Sequence, residues 1–468
     1  MKTTRLFIIF CTSALLGSCG IYKNYERPAE ISAVGIYGDA QSGGEQGLGD
    51  LQWRQIFTDP TLQSLIEKVL AQNSNMRQAD LRIQEMQNNL KAARLAFFPS
   101  LAFAPSGTIS GIVDPYDRDK YKAVMGGGAN KTYSFPLSMN WQIDAFGTLR
   151  NTKKNREVAV EQMKSVRQAV QTSLIANVAN LYYTLAMLDQ QHAIAEETTE
   201  KWSKTLEMTR HLMDAGMTNK SAVASTEANY WAIRTSTLEL ELSIRKIENA
   251  LSTLLGETPH TISRGKLADF QLPAACTTGF PIGVLSRRPD VKQAELTLAS
   301  AFYNKNIAKA AFYPALNITA NGQYANSITG AGIVNPGGII MAAVASLTQP
   351  IFQNGRIRAA YKNSQAEMDI AAIGFQQTLI EAGAEVNNAM ADLNTDLAER
   401  ELYENQVRSY TEAVDANEKL FRESSNNYLN VLTAQSGLLN AQMSQASTDF
   451  SIIADVVTLY QALGGGAE

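Results

Sequence analysis

The chain has 468 residues, 45% of them hydrophobic and 18% charged, with 31 Gly, 13 Pro and 3 Cys. Its 41 basic and 45 acidic residues leave a net charge of −4, so there is no basic excess to bind a phosphate backbone and no nucleic-acid partner is expected. The length leaves ample material for a buried core, and the ordinary composition excludes long disorder and collagen-like repeats.

Residues 1–18 form a processing segment rather than part of the fold. Lys2 and Arg5 supply a positive start, and the apolar run from Leu6 to Leu16 is too short to span a bilayer as a helix. The run ends in Leu16-Gly17-Ser18-Cys19, which resembles a bacterial lipobox. The Cys19 thiol would then receive a diacylglycerol and become the mature N-terminus. A plain secretory signal with an incidental Cys is the other reading. Cleavage removes Lys2 and Arg5 and takes the net charge from −4 to −6. Cys11 leaves with the signal, so Cys276 has no partner for an intramolecular disulfide. Stability must come from packing and assembly.

Residues 19–50 are rich in Gly, Ser and Tyr without a steady period, which predicts an extended linker behind the anchor. Thr58-Asp59-Pro60 marks a helix start, and Thr61–Phe98 contains neither Gly nor Pro before Pro99 stops it. Asn151–Ala215 is likewise free of both breakers, with an apolar stripe through Leu174, Val178, Leu181, Leu185 and Leu188. A second stripe runs through Phe375, Leu379, Ala382, Val386, Ala389 and Leu393, then Tyr403, Val407, Tyr410 and Val414. Helices of this length extend about 100 Å, which implies coiled-coil-like packing outside any ordinary globular core.

Between the helices the period falls to two. Tyr133, Phe135, Leu137, Met139, Trp141 and Ile143 alternate with Ser134, Ser138, Asn140, Gln142 and Asp144. Leu316, Ile318, Ala320 and Tyr324 alternate with Asn317, Thr319, Asn321 and Gln323. Two weaker segments bring the number to four, each near the ~9–11 residues of a tilted transmembrane strand. Pro136 cannot donate to a ladder, so its strand is expected to begin late or to bulge there. Tyr133, Phe135, Trp141, Tyr313 and Tyr324 are candidates for interfacial girdles, Trp141 foremost.

The chain also repeats itself. Arg94-Leu95-Ala96-Phe97-Phe98-Pro99-Ser100-Leu101 matches Lys309-Ala310-Ala311-Phe312-Tyr313-Pro314-Ala315-Leu316. The first repeat takes residues 51–256, with strands at 101–113 and 133–145, a long helix at 147–215 and a helix at 220–255. A linker at 257–280 leads to the second repeat at 281–463, with a helix at 290–311, strands at 315–328 and 338–350, a long helix at 354–422 and a helix at 428–463. Residues 464–468 form a tail.

Four amphipathic strands cannot close a barrel, and an open sheet edge in lipid is costly. Other copies of the chain must complete them. A trimer would give twelve strands around a polar lumen, with the long helices forming a tube beyond the bilayer. The expected fold class is therefore an α+β membrane protein, with a long coiled-coil α-helical barrel and four transmembrane strands per protomer. An enzyme has little support: His192, His211 and His260 lack acidic or nucleophilic partners at motif spacing and are read as solvent-facing. No metal site or cofactor is expected.

Trp53, Phe57, Asp59-Pro60, Leu62, Asn73, Ala79 and Arg82 resemble the opening signature of the TolC-like outer-membrane factors. Leu285-Ser286-Arg287-Arg288-Pro289-Asp290-Val291 with Ala294-Glu295 resembles that family's most specific motif, and Phe312-Tyr313-Pro314, Pro350-Ile351-Phe352 and Tyr428-Leu429-Asn430-Val431-Leu432 fit as well. The resemblance runs from about Leu51 to Gly464 and is closest to the lipidated branch that serves drug and metal efflux pumps. It implies a homotrimer, anchored by outer-membrane lipid, whose helical barrel crosses the periplasm to a periplasmic adaptor (membrane fusion) protein and an inner-membrane RND-type transporter. It also implies that the turns at Gly216, Met217, Thr218 and Val223 and at Ser424 and Tyr428 form the periplasmic tip, where adaptors dock and the pore shuts. Many members carry acidic residues after the second turn, where this chain has Asn430 and Thr433, so a charged gate is not expected. Arg288, Pro289 and Asp290 are expected to act structurally, as a helix start. A type I protein-secretion duct or a metal-efflux duct of the same fold, and a lipid-anchored periplasmic coiled-coil scaffold, are the alternatives.

Overall fold

The computed structural model describes residues 24–28, 48, 51–110, 130–273, 287–329, 332–423 and 428–466. In chain order these form α1 (Trp53–Ile56), α2 (Pro60–Gln72), α3 (Ser74–Leu95), β1 (Ser100–Phe103), β2 (Ser106–Ser110), β3 (Asn130–Ile143), α4 (Thr148–Asp214), α5 (Lys220–Leu255), α6 (Pro289–Ala310), β4 (Ala315–Thr329), β5 (Gly332–Thr348), α7 (Arg356–Glu423) and α8 (Tyr428–Ala462). The signal segment, Cys19 and most of the N-terminal linker lie outside the described residues.

Local chemistry sets the helix ends. Asp59 caps α2 by accepting from Thr61 N at 2.7 Å, with Pro60 at the first helical position, where its missing N–H costs nothing. The helix expected from Thr61 to Phe98 is two helices, because Asn73 takes an extended backbone between them. Its side chain accepts from Asn75 N at 2.8 Å and donates to Leu254 O at 3.0 Å, offering the backbone an alternative to continued helix. With 67 and 68 residues, α4 and α7 are each about 100 Å long.

Two compact units divide the chain, and each draws on both repeats. The first takes residues 83–162 and 295–373 with the N-terminal 1–28; the second takes 29–82, 163–294 and 374–468. The cut falls within α4 and α7, so the sequence repeats are not the compact units.

In the first unit the strands form one antiparallel sheet in the order β1-β3-β4-β5, with β2 also on β3. The first expected strand, 101–113, is split, yet its two pieces keep one register. Phe103 pairs Leu137 and Ser106 pairs Ser134, which places Pro105 beside Phe135 and Ala104 beside Pro136. Two residues that lack an N–H fall at neighbouring rungs, so the ladder there keeps only Ala104 N donating to Pro136 O at 3.2 Å. β3 runs straight through Pro136, pairing β4 without a shift from Lys131 to Ile143. The expectation of a late start or bulge in β3 is corrected: the neighbouring strand absorbs the lost bond.

One face of this sheet is apolar and open. Leu101, Phe103, Ile109, Tyr133, Phe135, Leu137, Tyr324, Met341 and Leu347 are all exposed, and Phe135 and Tyr324 pair across strands with ring centroids 6.4 Å apart. The opposite face carries Ser100, Ser138, Asn140, Asn317, Thr319, Asn321 and Gln323, and Ser106 bonds Ser134 through their hydroxyls at 2.7 Å. Trp141 is partly buried and its Nε1 donates to Phe97 O at 2.9 Å; Tyr313 stacks on Phe146 at 5.1 Å. No described helix is long and apolar enough to cross a membrane.

In the second unit the long helices lie side by side. Arg210 to Glu227 at 3.0 Å ties α4 to α5, Gln191 to Ser447 at 3.0 Å ties α4 to α8, and Arg400 to Asp449 at 3.1 Å ties α8 to α7. Leu439 and Met443 of α8 also join Tyr230, Ile233 and Leu240 of α5 around Ala195 and Trp202, so α8 lies against both α4 and α5. Leu174, Val178, Leu185 and Leu188 of one stripe, and Phe375, Leu379, Ala382, Val386, Ala389 and Leu393 of the other, are buried. α5 and α7 keep exposed apolar positions: Trp231, Leu238 and Leu242 on α5, and Ile380, Leu402 and Leu420 on α7.

Candidate functional site

The two helical hairpins of the second unit carry the positions that the sequence singles out. α4 ends in a turn whose Gly216 adopts φ +72°. Gly216 N donates to Met213 O and Met217 N to Leu212 O, each at 2.9 Å, which closes the last turn around a left-handed residue. Asn219 then caps α5, accepting from Ala222 N at 3.0 Å. Gly216 and Met217 are exposed, Thr218 is half-buried, and Val223 is buried one turn into α5. Open space surrounds Gly216, so only its backbone matters to a substitution. Gly216→Ala should cost about 1 kcal/mol of left-handed strain, read as about fivefold faster amide exchange over 212–222 with exchange elsewhere unchanged. Unchanged exchange in that segment would show that the cap does not hold the turn.

The second hairpin differs. Ser424 lies outside the described residues, and α8 begins at Tyr428, which is half-buried. Val431 and Leu432 turn inward, while Asn430 and Thr433 share an exposed face, the Thr433 hydroxyl bonding back to Leu429 O at 2.8 Å. The first turn of α8 carries no acid. The structure thus gathers Asn430 and Thr433 on one open face and separates Val223 from the exposed positions of its own turn.

Behind this turn sit contacts that pattern reading did not find. Gly437 is the one Gly within α8, and the Tyr410 ring of α7 packs directly on it: a Cβ there would stand 2.3 Å from the ring. Gln435 Nε2 donates to Glu418 Oε1 at 3.1 Å on one side of that contact, and Val414, Ala434 and Leu438 form a buried cluster beside it. The lone Gly in an otherwise unbroken helix was the available signal.

Arg288 is buried. Its guanidinium donates to Ala462 O at 2.8 Å and Asp290 Oδ2 at 2.7 Å, and reaches Glu385 at 2.5 Å. Burial works against the charge of Asp290, but the Arg288 guanidinium wins and holds that carboxyl below the usual carboxylate range. Pro289 opens α6 at its first position. The motif sequence thus ties three stretches of chain that are distant in sequence.

A second arginine fork went unnoticed in the sequence. Arg264 Nε and Nη2 donate to the two Asp189 oxygens at 2.6 and 2.7 Å, and Nη1 donates to Glu248 Oε1 at 2.7 Å. Of the histidines, His211 is exposed, but His192 is not solvent-facing as expected. It is largely buried between α4 and α5, with Glu196 at 3.7 Å and Glu241 at 3.6 Å, because the hairpin partner covers its outer edge.

The sequence model of the outer membrane efflux protein family matches residues 65–257 and 283–465. The toluene efflux pump outer membrane protein TtgC of Pseudomonas putida is 27% identical over 99% of this chain and 96% of its own. The cation efflux system protein CusC of Escherichia coli is 25% identical over 98% of each. Among solved structures, the open state of the Neisseria gonorrhoeae MtrE outer membrane channel superimposes with a TM-score of 0.81 at 24% identity, covering 95% of this chain and 98% of that one. Matched along both repeats, with long paired helices and an exposed apolar sheet, the chain belongs to the outer membrane efflux protein family and serves as the outer-membrane exit duct of an efflux pump.

Proposed function

We propose that three copies of the chain close into one channel that carries drugs or other small toxic compounds out of the periplasm. The observation that carries this is the sheet: one face is apolar and open, the other is polar along β3 and β4, and the described strands leave edges that lipid would punish. The exposed apolar positions on α5 and α7 support the same closure, since they offer apolar surface for a neighbouring protomer to cover. A ring formed this way joins unlike edges of successive protomers.

Cys19 is proposed as the lipidated N-terminus. The hairpin turns are proposed as the periplasmic tip, with Gly216, Met217, Thr218, Val223, Ser424 and Tyr428 meeting a periplasmic adaptor and Asn430 and Thr433 lining the constriction. An adaptor and an inner-membrane transporter of the RND type complete the pump, and the transporter supplies the energy and selects the cargo. Arg288, Pro289 and Asp290 are proposed as positioning residues for α6.

A strain lacking the gene tests the reading, challenged with detergents, dyes, antibiotics and divalent metals, with and without the intact gene restored. Hypersensitivity to amphiphilic drugs, reversed by complementation, is the expected result. Sensitivity to metals alone would move the assignment to cation export, the role named for CusC. An unchanged panel together with a depleted secreted proteome would overturn drug efflux in favour of protein export.

A further inference from the structure

We infer that Asp396 of α7 and Asp455 of α8 share one proton across the seam between their helices, which makes that seam a pH-sensitive latch, closed in acid and loosened in alkali. All the groups involved lie in the second compact unit, and the inference depends on no particular cargo or pump. Two contacts set the register of the seam. Arg400 meets Asp449 at 3.1 Å, and Gln435 meets Glu418 at 3.1 Å. The antiparallel pairing therefore puts Asp455 at the level of residues 394–398 of α7, beside Asp396, with Asp392 one helical turn away. Asp455 is half-buried, and its Oδ2 is covered and meets no donor among the described residues. An ionised carboxylate so placed is costly, and a second one beside it more so.

Each nearby cation already holds two acids. Arg400 takes Asp449 and Glu404, the latter at 3.4 Å, and Arg288 takes Asp290 and Glu385 towards the far end of α8. α8 itself carries two charged residues, Asp449 and Asp455, both acids. On α4, the pairs Gln191 to Ser447 and Thr172 to Gly465 set Asp455 opposite residue 183, in a stretch from 168 to 188 that has no charged side chain. Tyr182 and Tyr183 stand there, and burial raises both phenols above their ordinary value, so they remain uncharged. The last charged residue of α5, Glu248, is held by Arg264. A proton is what remains to reconcile the two carboxyls.

Burial, followed by the charges of Asp396 and Asp392, pushes the Asp455 carboxyl up to about 7, and a hydrogen bond with Asp396 acts in the same direction. The folded value stands above the ordinary one, so the contact contributes fully in acid and is lost as the pH rises through about 7. With the proton present, the Asp455 hydroxyl donates to the Asp396 carboxylate and ties α8 to α7. With it gone, two like charges face each other and the helices part more readily. The latch sits 27 residues past Tyr428, about 40 Å along α8 from the hairpin turn, well clear of Asn430 and Thr433.

The test uses purified full-length protein and reads amide exchange over 452–459 from about pH 6 to about pH 8, each rate divided by the intrinsic, hydroxide-catalysed rate at that pH. One proton fully coupled to opening gives tenfold per pH unit; for a half-exposed pair about fivefold over the whole range is expected. Asp455→Asn keeps the shape, stays neutral at every pH and can donate to Asp396, so it should flatten the response. Infrared spectra of the same samples should show a carboxylic-acid carbonyl band near neutral pH that fades in alkali and is missing from Asp455→Asn. Exchange that follows the intrinsic rate alone in the unmodified chain would overturn the latch. So would an acid band and a pH response that both survive in Asp455→Asn.

Discussion

Replacing Arg264 by Met should cost about 3–5 kcal/mol, the largest single effect expected from a side chain in the second unit. The reason is the unequal exposure of its two partners. Asp189 is 43% exposed and can rehydrate when the guanidinium leaves, but the Glu248 side chain is 11% exposed and cannot. Glu248 would keep one weak contact, Ile262 N at 3.4 Å, and a buried charge without a cation. The Ile262 carbonyl would lose its donor as well, since Arg264 Nη1 reaches it at 2.9 Å. Arg264→Met with Glu248→Leu removes both charges together and should recover most of the loss, because an apolar pair of similar volume replaces a costly buried one. Apparent melting temperatures of the purified single and double variants decide the matter. A double variant no more stable than the single would show that Glu248 is not the seat of the penalty.

The second large effect is expected at Gly437, and it is functional. A Cβ there would stand 2.3, 2.7 and 2.8 Å from three ring atoms of Tyr410, so the ring must leave the α8 backbone or α8 must leave α7. Gly437→Ala gains about 1 kcal/mol in helix propensity and loses about 1–3 kcal/mol to overpacking. Net stability therefore changes little while the fit between the two helices changes much. Gly437 lies nine residues past Tyr428, about 14 Å from the turn, so a wedge there pries apart the hairpin that carries Asn430 and Thr433. Cells with Gly437→Ala should admit a large antibiotic such as vancomycin at normal protein levels. Adding Tyr410→Ala removes the clash and should restore the barrier. If the single variant stays tight, the Tyr410 contact has no part in holding the hairpin shut.

Much of the fold was legible because the signals that shape it are local and repeated. A stripe such as Phe375, Leu379, Ala382 and Val386 states its own burial through spacing alone, and all four are buried. The alternation from Tyr133 to Ile143 likewise gives a strand with one open apolar face. What escaped was set by partners far away in sequence. Asp189 meets Arg264 across 75 residues and Arg288 meets Ala462 across 174, and neither pair has a spacing that a pattern could expose. The break between β1 and β2 needed the sheet register, since Pro105 and Pro136 matter only once they are neighbours. Asn73 could have been read, because an Asn amid a helical run competes for backbone partners, but its donation to Leu254 lies 181 residues away.

That each compact unit is assembled from both repeats bears on how the chain is made. A ribosome delivering the first repeat, 51–256, has produced only half of either unit. The apolar stripe of α4 must wait for α8, and Thr172 Oγ1 for the Gly465 carbonyl it bonds at 3.1 Å, 293 residues downstream. Contacts of such separation fold slowly. Until the last turn of α8 emerges, the face of α4 that α8 covers stays open to proteases and to other copies of the chain. The two copies of the repeat interleave, so each compact unit is complete only when residues of both are present.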